Sequence, residues 1–150
     1  VMPLLADLDI RFVVLGSNPP EELARFESER VHITGFVQSV EPFFEQSMCL
    51  VAPLVLGAGI KVKVIEALSS GIPVLTNKIG IEGIPAENRK HYLHCETPEE
   101  YSDYIHGLIM GRVSEEKLCL NSKRFIEERY SIEDSINNYK KRLSIMGGEK

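Results

Sequence analysis

Gly57, Gly59, Lys61, Lys63 and Glu66 lie close together in a stretch that reads LVAPLVLGAGIKVKVIEALSSGIPVLT, Leu50 to Thr76. Gly57, Ala58, Gly59 and Ile60 make a loop with almost no side chain, and a helix is predicted after it. A loop of this kind, between a strand's carboxyl end and a helix's amino end, offers an anion free backbone N–H groups and the positive end of the helix dipole. Lys61 and Lys63 are predicted in the first helical turn, where a cation opposes the dipole and costs ~0.3–1 kcal/mol when exposed. A bound polyphosphate would reverse that sign. Glu66 lies five residues beyond Lys61, or roughly 7–8 Å at ~1.5 Å of rise per residue. That is about the separation of a diphosphate from the ribose hydroxyls of one nucleotide, and a carboxylate accepts well from two vicinal hydroxyls. The same residues also read as an ordinary i, i+3 surface pair of Lys63 and Glu66. A lone glycine loop is a weak motif, so spacing alone leaves both readings open.

The elements that must position these residues alternate between strand and helix signals. Leu50, Val51 and Ala52 form a short apolar strand ended by Pro53, and Lys61 to Ser70 is the predicted helix. Gly71 stops it where a left-handed residue is often needed, and Ile72 to Thr76 is a second buried strand. Upstream, Ile10 to Leu15 is a β-rich run ended by Gly16, Ser17 and Asn18. Pro19-Pro20 open a short helix with Glu21 and Glu22 in its first turn. Val31 to Phe36 is a further strand, and Ser39 can cap a helix whose Phe43 and Phe44 serve the core or stack on a base. Downstream, Asn77 to Glu87 is a loop near the crevice at the strands' carboxyl ends, and His91 to Cys95 is a last strand. Thr97-Pro98-Glu99-Glu100 is a strong helix start. Helices are predicted from there, from Ser114 to about Arg129, and from Ser131 to Ile145. No repeat, linker or low-complexity block divides residues 1–150, so one domain is expected.

The central stretch resembles the donor-binding motif of the GT-B glycosyltransferases, in the group 1 family of retaining enzymes that use nucleotide-sugars. In that family a strand ends in Pro, a glycine loop leads into a helix bearing Glu-Ala, and a Gly-x-Pro-Val strand comes next. This chain has Pro53, Gly57 to Ile60, Glu66-Ala67 and Gly71-Ile72-Pro73-Val74. Arg11 to Gly16 (RFVVLG) is similar to the family's second strand, and Val31 to Val37 (VHITGFV) to the next, whose end lies beside the nucleobase. Tyr130-Ser131 and the helix predicted after them resemble its closing helix. The resemblance implies a Rossmann-like three-layer sandwich with a mostly parallel sheet. It implies that Gly57, Gly59, Ile60, Lys61 and Lys63 hold a diphosphate, that Glu66 holds the ribose, and that Phe36 and Val37 border the base. Neither a metal nor a cofactor is implied, because lysines and the helix dipole offset the charge of the leaving diphosphate. Many members carry a second glutamate, which would fall at Ala58, so the carboxylate that contacts the transferred sugar has no counterpart here.

The family also has a first strand, a basic loop and an N-terminal acceptor domain ahead of the segment matching Val1 to Leu8, which reads as a helix tail. The chain is therefore expected to be most of a donor-side domain, inactive alone. The strand expected ahead of it would run in the middle of the sheet. A strand-swapped or edge-paired homodimer is one way to fill that gap.

Composition sets outer limits. The 150 residues are 43% hydrophobic, enough for a core, and no apolar run nears the ~20 residues a membrane helix needs. A net charge of −5 argues against binding to nucleic acid or anionic lipid, leaving membrane contact to the full-length enzyme. Cys49, Cys95 and Cys119 lack metal-like spacing, which fits a reducing, cytoplasmic setting. His32, His91, His94 and His106 also lack the spacing of a metal site. Two classes of function remain: the donor half of a glycosyltransferase acting on a glycan, lipid or other acceptor, or a nucleotide-binding module without transfer activity. A receiver-like regulatory domain would need acidic strand ends, whereas these carry Gly16, Gly35, Pro53 and Asn77.

Overall fold

The computed structural model describes residues 1–130, so the predicted helix from Ser131 onward lies outside the described residues. In chain order the elements are β1 (Phe12–Leu15), β2 (Val31–Gly35), α1 (Glu41–Gln46), β3 (Leu50–Ala52), α2 (Val62–Ser70), β4 (Val74–Thr76), β5 (Leu93–His94), α3 (Pro98–Ile109) and α4 (Glu115–Tyr130). The segments predicted as a helix tail at the N-terminus and a helix after Pro20 are instead 3-10 turns, Met2–Leu5 and Glu21–Phe26.

Every ladder between these strands is parallel. They form two sheets, β1-β2 and β3-β4-β5, rather than one. Among the described residues no ladder joins β1 to β3. A cleft of about 1240 Å³ lies between them, lined by Phe12 and Val13 from one strand and Leu50 and Val51 from the other.

The larger sheet has helices on both faces because its side chains alternate. Val74 packs with Ala52, Val64, Ala67, Leu68 and Ile126 on one face. Leu75 and Leu93 pack with Leu5, Tyr101, Ile105, Leu108 and Leu118 on the other. Phe44 of α1 belongs to the first cluster, which assigns it to the core, while Phe43 is half-buried. Burial pushes the Cys49 and Cys95 thiols up to about 12, so both stay protonated as packing residues.

α2 is fixed firmly at its carboxyl end. Gly71 is left-handed (φ 72°), its N–H donates to Leu68, and the Ile72 N–H donates to Ala67, which together make a Schellman motif. Ile72 is thereby committed to the helix cap, and β4 starts two residues later than the predicted strand. The Pro73 carbonyl still accepts from the Leu50 N–H at 2.9 Å, so the β3–β4 ladder begins just beyond the cap. α3 starts as predicted, with a reciprocal box between Thr97 and Glu100.

This packing makes Leu68 the anchor of the helix that carries the candidate site. It is fully buried, whereas Val62 on the same helix is 62% exposed. Leu68→Ala is expected to lower unfolding free energy by ~2–5 kcal/mol in urea denaturation, and Val62→Ala by under ~1 kcal/mol. Equal effects would contradict the assigned helix orientation.

Candidate functional site

The loop from Pro53 to Lys61 runs between β3 and α2, and nearly all of it is exposed. Gly57 and Gly59 take φ values of 133° and 73°, which a chain with side chains rarely adopts. The turn they make leaves a row of donors unused: among the described residues, the amides from Gly57 through Lys63 donate no hydrogen bond.

α2 has an unusual beginning. It starts one residue later than predicted, so Lys61 is its N-cap, in an extended conformation (φ −91°, ψ 99°), rather than part of its first turn. A lysine cannot accept from the helix amides, and no side chain caps α2. There is no acidic residue in its first turn either, where Lys63 is placed instead. α3, in the same chain, has the Thr97–Glu100 box and acids at its start. A missing cap costs a helix ~0.5–2 kcal/mol, and a missing first-turn acid ~0.3–1 kcal/mol. The amino end of α2 is therefore left positive and open, which is the electrostatic complement of an anion.

The Lys61 side chain folds back over the loop. Its ammonium donates to the Gly59 carbonyl and lies 3.7 Å from a carboxylate oxygen of Glu82, with the side chain only 14% exposed. Lys63 instead reaches Glu66 at 2.8 Å, with the lysine side chain mostly in solvent and the glutamate side chain 39% exposed. The i, i+3 pair expected from spacing is thus formed, and such an exposed pair is worth under ~1 kcal/mol and is easily exchanged for a ligand. Phe36 and Val37 come just after the end of β2, in the other sheet, with Phe36 75% exposed. No described hydrogen bond ties either of them to the glycine loop.

The loop after β4 borders the site more closely than its composition suggests. The Asn77 amide donates to the Leu54 carbonyl at 2.6 Å, and its oxygen accepts from the Gly80 N–H at 3.0 Å. Beneath them the Thr76 hydroxyl donates to the Ala52 carbonyl at 2.8 Å, in full burial. These bonds lash the two loops together across the β3–β4 carboxyl ends. Asn77 and Glu82 carry no spacing signal of their own, because their partners lie more than twenty residues away.

The histidines lie elsewhere. His91 stacks on Phe125 and accepts from the Glu87 N–H, and burial lowers its pKa so that it stays neutral. His106 is bonded to the Ser102 carbonyl and to Asp7, which hold its pKa above the usual value. Among the described residues no three His, Cys, Asp or Glu side chains gather as a metal site.

Fold and site together define an α/β domain with an open glycine loop of free amides at the carboxyl end of a parallel strand. The chain belongs to the family described as glycosyl transferases group 1, whose model matches residues 1–110. No curated protein matches the sequence significantly. Among solved structures, Anabaena HepE in complex with UDP superposes with a TM-score of 0.79 and 16% identity, over 95% of this chain and 43% of that one. A glycosyltransferase from Rickettsia africae gives 0.80 and 13%, over 99% and 43%. The C-terminal domain of a group 1 glycosyl transferase from Francisella tularensis gives 0.72 and 17%, over 87% and 75%. These likenesses establish the GT-B C-terminal domain fold. The chain spans under half the length of the first two. Among the described residues no helix is long and apolar enough to cross a membrane.

Asn77→Ala removes the tie to Leu54 between the loops and the bond to Gly80 within the β4 loop, and leaves the Leu54 carbonyl without its partner. A loss of ~1–3 kcal/mol in stability is expected, with faster amide exchange at Gly80. Unchanged exchange at Gly80 would contradict the lashing role.

Proposed function

We propose that this chain is the donor-side domain of a glycosyltransferase that takes a sugar from a nucleotide-diphosphate-sugar. The observation that carries the reading is the row of free amides from Gly57 to Lys63 at an uncapped, lysine-bearing helix start. The Gly59 and Ile60 amides with Lys61 and Lys63 hold the diphosphate. Glu66 leaves Lys63 to accept from the ribose hydroxyls, and the chain at Phe36 and Val37 borders the base. Support comes from the similar Anabaena protein, whose structures are described as complexes with UDP and UDP-glucose. A pneumococcal O-GlcNAc transferase of similar fold is described with UDP and GlcNAc.

The loop's lysines and the α2 dipole offset the charge that builds on the departing diphosphate, so the reading requires neither metal nor cofactor. Residues 1–150 act as one domain, inactive alone, while a separate domain binds a glycan, lipid or other acceptor in a cytoplasmic enzyme. Neither nucleic acid nor direct membrane contact is part of this reading. Strand swapping or edge pairing between copies across the β1–β3 cleft completes the sheet when no other strand does. Ala58, where the resemblance implies a second glutamate, favours a second reading: a nucleotide-binding module without transfer.

Calorimetric titration with UDP, GDP, ADP and the parent nucleosides tests the roles. Lys61→Ala is expected to weaken diphosphates more than nucleosides, and Glu66→Ala to weaken both by up to ~3 kcal/mol. An equal effect of Lys61→Ala on both ligand classes removes its phosphate role. Affinity unchanged by Glu66→Ala removes the ribose role.

A further inference from the structure

Ala58 brings no carboxylate to the glycine loop, yet the structure places one beside Lys61 from another element. Glu82 lies in the turn after β4, with its oxygen 3.7 Å from the Lys61 ammonium. That turn is well built. Ile81 N–H donates to the Asn77 carbonyl and Ile84 N–H to the Ile81 carbonyl, with the Ile84 side chain 4% exposed in the core. Gly83 lies against the glycine loop so closely that a Cβ there would come within 3.0 Å of Ile60 Cγ1. Asn77 ties the start of the same turn to Leu54. Glu82 is thus held beside the loop by contacts on both sides of it, rather than swinging freely on the surface.

Its carboxylate is also uncommitted. At 3.7 Å the contact with Lys61 is an ion pair longer than a hydrogen bond, and the Glu82 side chain is 56% exposed. Among the described residues Glu82 oxygens accept no hydrogen bond, whereas Glu66 accepts from Lys63 and Glu100 from the amides of Glu96 and Thr97. A sugar esterified to a phosphate that Lys61 holds would lie close to this carboxylate, which is 3.7 Å from the Lys61 ammonium. A carboxylate with free lone pairs accepts from vicinal hydroxyls through charge-assisted hydrogen bonds.

We propose that Glu82 is the donor-sugar recognition residue of this chain, a carboxylate supplied beside Lys61 by the loop after β4. The inference rests on the donor-site reading above and extends it to the sugar. In the empty state Glu82 neutralises Lys61; with donor bound, Lys61 turns to the phosphate and Glu82 to the sugar.

The test compares nucleotide with nucleotide-sugar: UDP with UDP-glucose and UDP-N-acetylglucosamine, GDP with GDP-mannose, and ADP with ADP-glucose, titrated against the full chain and Glu82→Gln. The expected result is that Glu82→Gln weakens the nucleotide-sugar about tenfold or more, the factor lost with one hydrogen bond to a charged group. Affinity for the bare diphosphate is expected to stay the same or rise, since a competing anion is removed; its retention also shows that the variant is folded. An equal change for sugar-bearing and sugar-free ligands, or none for either, overturns the role of Glu82 while leaving the donor site standing. Failure of the unsubstituted chain to bind any diphosphate overturns the donor reading and this inference with it.

Discussion

Backbone N–H groups need acceptors, and the amides between Gly57 and Lys63 have none within the described structure. Most helices settle this need with a Ser, Thr, Asp or Asn at the cap and acids in the first turn. α3 does so through Thr97 and Glu100, whose carboxyl is held below the usual range by the Glu96 and Thr97 amides it accepts from. α2 has a lysine at the cap, another in the first turn and glycines ahead of both. Each choice is locally unfavourable, and all leave the same thing: concentrated positive potential with donors facing out. Departures from local rules that agree with one another in this way are the mark of a functional site.

Such a helix start is tolerable only because the rest of α2 is held strongly. Val64, Ala67 and Leu68 are buried against β3 and β4, and the Schellman motif closes the far end. Burying side chains of this kind is worth roughly 1.5–3 kcal/mol for the larger ones, which exceeds the ~1 kcal/mol lost with a missing cap. The strands then set where the open end points. Parallel ladders put the carboxyl ends of β3 and β4 side by side, Thr76 joins the two strand ends, and Asn77 joins the loops that leave them. The result is a stiff frame around a loop that has little stability of its own.

Much of this frame is legible in the sequence because it depends on neighbours along the chain. Gly71 as a left-handed cap, the Thr97 box and the β3-loop-α2-β4 order are all short-range patterns. Lys61 falls one position outside its predicted turn because composition cannot show that its backbone is extended. The contact between Lys61 and Glu82 is hidden for a different reason: it joins residues brought together only when β4 pairs with β3. The 3-10 turn at Glu21–Phe26 looks helical in sequence because the Pro and acidic signals that open an α-helix also open a tighter turn, and Met2–Leu5 carries a Pro in its first turn as well. The separation of β1-β2 from β3-β4-β5 is not legible because short-range patterns show each strand but not whether β2 and β3 share a sheet.

The central claim is that the free amides of the loop and of the first turn of α2 are a diphosphate site. The most direct measurement is a ¹H–¹⁵N spectrum of the chain recorded during titration with UDP, GDP and ADP. The account predicts that one of these moves the Gly57, Gly59, Ile60 and Lys63 amide signals most, downfield as their N–H groups acquire acceptors, while Gly71 and Gly107 stay still. Saturating shifts confined to other residues, or no shift in these four with any diphosphate, would contradict it.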